Sequence, residues 1–164
     1  MKKRILAVLS MLMLLSFQAK AADKGSVELK SVSEVDVTVT NDKGEKEVKR
    51  VEAAKANVTP GDTVIFTNYY VNKGDKSASD VVITNPVPEH MIYLDGSAEG
   101  KGTRIEFSID KGKSFVPAGK LTVRNKEGRE KPASAADYTH IRWTVEKPIE
   151  KGGKGSVSFK AKVE

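Results

Sequence analysis

The chain has 164 residues, 38% of them hydrophobic and 30% charged, with no cysteine and a formal net charge of +6 at pH 7. That length gives room for one apolar core, and the missing cysteines exclude both a disulfide framework and a thiolate metal centre. The positive charge alone would suit a polyanionic partner such as nucleic acid, but its distribution along the chain removes that reading.

Lys2-Lys3-Arg4 is a basic start, Ile5 to Phe17 is apolar apart from Ser10 and Ser16, and Ala19-Lys20-Ala21 supplies the small residues of a signal-peptidase site. Residues 1–21 therefore read as a signal peptide, cleaved to leave a chain beginning at Ala22. The apolar run is shorter than the ~20 residues that cross a bilayer, and no cysteine follows it to carry a lipid, so no membrane anchor is expected. Four basic and no acidic residues leave with the segment, so the charge falls from +6 by four to +2. A nearly balanced surface gives no reason for a nucleic-acid partner, and the basic tracts 43–55 and 147–154, mixed with Glu, read as solvated faces. The expected location is the periplasm.

Beyond the signal, Val35, Val37 and Val39 alternate with Asp36, Thr38 and Thr40, the period of a strand. Asn41-Asp42-Lys43-Gly44 turns the chain, and Glu45 to Ala53 returns. That return is read as a strand closing a hairpin, although Val48, Val51 and Lys55 are also helically spaced. Residues 22–56 are thus expected to be an N-terminal β-hairpin extension packed on the main domain, which spans 57–164.

Pro60-Gly61-Asp62 opens the next strand, in which Val64, Phe66, Asn68 and Tyr70 share one face and Thr63, Ile65, Thr67, Tyr69 and Val71 the other. Asn72-Lys73-Gly74-Asp75 closes it, and Asn85-Pro86-Val87-Pro88 ends the strand after it. Further short strands are expected at Ser79 to Thr84, Met91 to Leu94, Arg104 to Ile109, Ser114 to Val116, Leu121 to Asn125, His140 to Val145 and Ser156 to Val163, with one helical turn near Ala133 to Asp137. Such spacing predicts an all-β sandwich or barrel.

Few residues suggest chemistry. Ser108-Ile109-Asp110-Lys111-Gly112-Lys113-Ser114-Phe115 resembles the Asp-box hairpin of sialidase-like propellers, and reads as a turn built on Asp110 and Gly112 with Phe115 in the core. One copy does not make a propeller. His90 and His140 stand apart in sequence and do not reach the three or four ligands of a zinc site. Asp75 and Asp80 flank one loop and could bind calcium weakly, but no calcium-loop motif is present and turn capping accounts for them. No motif for a nucleophile, phosphate loop or catalytic triad occurs. No catalytic, cofactor-binding or metal-binding residue is therefore assigned, and the chain is not expected to be an enzyme or to use a cofactor. Phe66, Tyr69, Tyr70, Phe107, Trp143 and Phe159 read as core fillers within strands.

The run from Val58-Thr59-Pro60-Gly61-Asp62 to Asn85-Pro86-Val87-Pro88 and Met91-Ile92-Tyr93, with Ile141-Arg142-Trp143, Pro148-Ile149 and the closing Gly152 to Val163, resembles the DUF11-type conserved repeat of bacterial envelope proteins. Asn85 stands where that family usually has Asp, and Gly96 to Tyr138 is an insertion. The resemblance implies an immunoglobulin-like antiparallel β-sandwich without catalytic residues, here carrying the N-terminal β-hairpin extension. Related surface sandwiches form Lys–Asn isopeptide links, for which this chain has the residue types. Together these readings point to an exported, non-enzymatic periplasmic or cell-envelope protein that binds or scaffolds another envelope component, its partner an unknown envelope protein or glycan. The alternative is a small-ligand or glycan-binding module, whose aromatic platform would be Tyr69, Tyr93 and Tyr138.

Overall fold

The computed structural model describes residues 26–164, so the expected signal peptide lies outside the described residues. Within them the chain forms eleven strands: β1 (Val27–Thr40), β2 (Lys46–Glu52), β3 (Thr63–Asn72), β4 (Val82–Pro86), β5 (Met91–Tyr93), β6 (Glu99–Gly100), β7 (Thr103–Ser108), β8 (Thr122–Arg124), β9 (Glu130–Pro132), β10 (His140–Val145) and β11 (Lys154–Val163). Two single 3-10 turns, Ala53–Lys55 and Ala135–Asp137, are the only helical pieces described. Every strand pairing is antiparallel. The larger sheet runs β2-β1-β3-β11-β5 with β6 added to β11, the smaller runs β4-β10-β7, and β8-β9 form a separate ribbon. The two sheets pack face to face as an all-β sandwich.

β3 is the centre of the larger sheet because its β-branched and aromatic residues suit a strand paired on both sides. It meets β1 from Val27↔Asn72 to Val35↔Val64 and β11 from Lys154↔Val71 to Lys162↔Thr63. Its alternation resolves as the sequence predicts: Val64, Asn68 and Tyr70 are buried on the inner side beside Phe66. Val157, Phe159 and Ala161 of β11 share that side by register. Ile83, Phe107, Ile141 and Trp143 from the smaller sheet are buried with them in one cluster. Phe66 stacks on Phe159 at 4.9 Å, and Phe107 on Tyr138 at 4.7 Å. Gly155 is small for a reason: a Cβ there would lie 2.3 Å from the Tyr70 hydroxyl oxygen.

Two buried asparagines tie the core together. Asn68 accepts the Ser31 hydroxyl at 2.6 Å and donates its Nδ2 to Asn85 Oδ1 at 2.6 Å, which joins the two sheets. Asn72, fully buried, donates to the carbonyls of Lys76 (2.7 Å) and Ile149 (2.8 Å) and accepts from Gly74 N–H (2.9 Å). A buried amide this well partnered fixes the turn that follows β3, since each orphaned partner would cost about 1–3 kcal/mol.

The strand expected at Ser79 to Thr84 begins only at Val82, and Ala78 makes one isolated bridge to Ile149. Ser114 to Val116 is likewise a single bridge, Val116 to Phe107. The expected helical turn is the 3-10 turn Ala135–Asp137, closed by a capping box between Ser134 and Asp137.

The ambiguous return segment, Glu45 to Ala53, is strand β2 over Lys46–Glu52, with Ala53 opening the 3-10 turn. β1 does two jobs: its first half pairs with β3, while Glu34 to Thr40 pairs with β2 from Glu34↔Glu52 to Thr40↔Lys46. The hairpin therefore runs on past the start of β3. Asp36 to Thr40, at roughly 3.3 Å per residue, carries it about 16 Å beyond the last β3 partner. Its tip is a tight turn in which Asn41 Oδ1 accepts from Lys43 N–H (2.9 Å) and Glu45 N–H (3.0 Å), with Gly44 at φ 80°.

Candidate functional site

The Asp110 turn is built on a carboxylate that accepts four hydrogen bonds. Asp110 Oδ1 accepts from the Ser108 hydroxyl (2.6 Å), Lys113 N–H and Ser114 N–H (both 3.0 Å), and Oδ2 accepts from the Ser114 hydroxyl (2.6 Å). Those bonds, led by the Ser108 hydroxyl, hold its carboxyl far below the ordinary 3.8. A carboxylate so engaged is a latch for the turn, and its protonation range is remote from that of a general acid at neutral pH. Because its folded value is depressed, the stability it contributes is present above pH ~4 and lost as pH falls toward the folded value. The thermal midpoint of Asp110→Asn is accordingly expected below that of the parent at pH 7, with the gap closing on acidification through pH ~3. A gap independent of pH would mean the carboxylate's charge plays no part.

Phe115 departs from the expectation of a core residue. It is half-buried on the outer face of the smaller sheet, where the Arg142 guanidinium lies 4.2 Å from its ring centroid. Arg142 Nη2 donates to Glu106 Oε2 at 2.9 Å, and Arg104 Nη1 is 2.6 Å from the same oxygen. The Asp110 turn thus lays an aromatic lid over an ion cluster, with Glu106 only 6% exposed. This is a structural arrangement in which every charge faces an opposite one.

The histidines, distant in sequence, line one shallow hollow of about 380 Å³ with Pro86, Pro88, Lys111 and Tyr138. His140 lies against Gly112, and its Nδ1 is 3.2 Å from Thr139 Oγ1. His90 sits at φ 61° in the turn before β5. Among the described residues no three His, Cys, Asp or Glu side chains gather as a metal site. Asp75 is bonded to Lys151, and Asp80 occupies a turn at φ 56°.

The three tyrosines proposed as a glycan platform do not come together on the surface. Tyr93 and Tyr138 are buried and in contact with each other, at 5.8 Å between centroids, and Tyr93 Oη accepts from Ala98 N–H at 3.0 Å. Burial pushes both hydroxyls upward in pKa. Tyr69 alone faces out, 48% exposed. The buried asparagines Asn68 and Asn72 bond to Ser31, Asn85 and main-chain groups rather than to a lysine amine.

The chain matches no family model, no curated protein and no solved structure. Function has to be read from the surface.

The surface features that differ from an ordinary solvated sandwich are the N-terminal hairpin and, at the opposite end of β1, the open stretch around Leu29. Val48 is 68% and Leu29 55% exposed, the two most exposed large hydrophobic residues described. Leu29, Lys30, Tyr69, Val71 and Lys154 line an adjoining hollow of about 620 Å³. Alternation placed these residues on strands, but it did not mark Leu29 or Val48 as exposed. The signal lay in the unbroken Val27-Glu28-Leu29-Lys30, a strand pattern with no Pro to block pairing at an edge.

Proposed function

We propose that the protein is an exported, non-enzymatic β-sandwich of the bacterial cell envelope, periplasmic in location, that binds or scaffolds another envelope component through its N-terminal hairpin. The observation that carries this reading is the geometry of β1 and β2, which leave the sheet as a two-stranded ribbon with Val48 exposed on it. A two-stranded ribbon alone is marginally stable in water, and an exposed apolar side chain on an open strand edge is the means by which sheets recruit partners. The signal-like residues 1–21 support the compartment, and the resemblance of residues 57–164 to the DUF11-type repeat supports an envelope role. The small-ligand reading keeps only Tyr69 and the hollow beside it, a single ring where a platform needs several.

A photo-reactive residue in place of Val48, introduced in cells that export the protein, tests this directly. The expected product is a discrete adduct with an envelope protein, identified by mass spectrometry and missing when the probe replaces Lys126 on the β8-β9 side. Equal labelling from both positions, or none from either, would sink the assignment to the hairpin.

A further inference from the structure

We propose that the open edge of β1 is a self-association site, where two copies join their larger sheets antiparallel about a two-fold axis passing midway between Leu29 of one copy and Leu29 of the other. On one side β1 is bonded to β3 from Val27 to Val35. On the other side, β2 begins to pair only at Glu34, and the Ala53–Lys55 turn lies beside β1 as the chain leaves β2. Among the described residues no strand pairs with that second edge over Val27 to Ser31. Edges of this kind are ordinarily protected by Pro, bulges or charged side chains. Val27-Glu28-Leu29-Lys30-Ser31 has no Pro, and its two charges, Glu28 and Lys30, are of opposite sign, so they repel a foreign edge less than they can pair with a second copy of their own.

The side chains select the partner and the register. In an isologous antiparallel pair, directly opposite residues share a face, so an axis normal to the sheet must set one residue directly opposite its own counterpart. An axis at Glu28 sets Glu28 against Glu28, and one at Lys30 sets Lys30 against Lys30. Only an axis at Leu29 places Glu28 opposite Lys30 twice over on the outer face, with Leu29 against Leu29 on the inner face and Val27 opposite Ser31. The edge is therefore complementary in charge to itself, and this register covers the 55% exposed Leu29. Five residues make a short interface, so the dimer is weak and forms as concentration rises. This inference stands apart from the choice of envelope partner.

Because the chain has no cysteine, a single introduced thiol reports the register. Directly opposite residues lie about 4.5–5.5 Å apart at Cα, within disulfide reach, whereas diagonal neighbours at about 7–8 Å are not. Leu29→Cys is expected to give a covalent dimer under mild oxidation and Lys30→Cys to stay monomeric. Sedimentation of the purified protein carries the second arm. Glu28→Lys or Lys30→Glu alone is expected to raise the dimer dissociation constant about tenfold or more, and the double swap Glu28→Lys/Lys30→Glu to restore it. Both positions are exposed, so these variants leave the fold intact. Equal cross-linking at positions 29 and 30, a double swap no better than either single, or a monomer at every concentration would each overturn the proposal.

Discussion

Phe159→Ala is expected to lower the free energy of unfolding by about 3–5 kcal/mol, the range for removing a fully buried aromatic ring. Phe159 sits mid-strand on β11, 1% exposed, and its ring touches both layers of the sandwich. It stacks on Phe66 at 4.9 Å, meets Trp143 at 6.2 Å and Tyr93 at 6.5 Å. Those neighbours stand on strands paired across two sheets, so they have little freedom to collapse into the space left behind. Since a domain of this kind is stable by only ~5–15 kcal/mol, the loss would remove a large share. Phe159→Leu, which keeps most of the volume, is expected to cost about 1.5 kcal/mol or less. Urea unfolding followed by the fluorescence of Trp143, the sole tryptophan and fully buried, measures both. Equal losses for the two variants would show that the ring's packing does not organise the core.

The second large effect is expected at Asn72. Asn72→Ala strips Lys76 O and Gly74 N–H of their side-chain partner and leaves Ile149 O only its bond from Ala78 N–H. With 1–3 kcal/mol for each badly satisfied buried group, and some relief from water at the turn, the cost comes to about 2–4 kcal/mol. Asn72→Asp separates volume from bonding. It keeps the acceptor for Gly74 but turns carboxylate oxygens toward two carbonyls, so burial and that repulsion raise its folded pKa. A raised carboxyl favours the protonated folded state, and the variant is therefore expected to gain stability relative to the parent as pH falls from 7 to 4. An Asn72→Asp variant as stable as the parent at pH 7 would rule out the donor role.

Much of the fold was legible because turn residues and alternation act locally. Val64, Phe66, Asn68 and Tyr70 share the inner face as their spacing requires, and Pro60-Gly61-Asp62 opens β3 with Asp62 Oδ2 accepting from Thr59 N–H at 2.8 Å. The Asp110 turn also followed from its motif, since every bond to its carboxylate comes from within four residues. What failed was anything set by distant partners. Phe115 has the sequence of a core aromatic, but its neighbour Arg142 comes from β10 and places it as a lid instead. β9, Glu130–Pro132, has no apolar residue to announce it. Its ribbon repeats the β1-β2 turn device, with Asn125 Oδ1 accepting from Glu127 and Arg129 N–H and Gly128 at φ 77°. Reading Asn125-Lys126-Glu127-Gly128 against Asn41-Asp42-Lys43-Gly44 would have exposed it. Likewise, period two reports which residues share a face but not which edge is left open, so the exposure of Leu29 and Val48 required the three-dimensional pairing.

The hairpin beyond β3 is the feature on which the functional reading depends, and amide hydrogen exchange resolved by segment tests it. Exchange is expected to be slowest in β10 and β11, whose amides open only with the whole domain, and orders of magnitude faster across Asp36 to Glu52. Protection of the hairpin equal to that of β11 in the isolated protein would contradict the account, because a segment already packed into the domain has no surface to offer a partner.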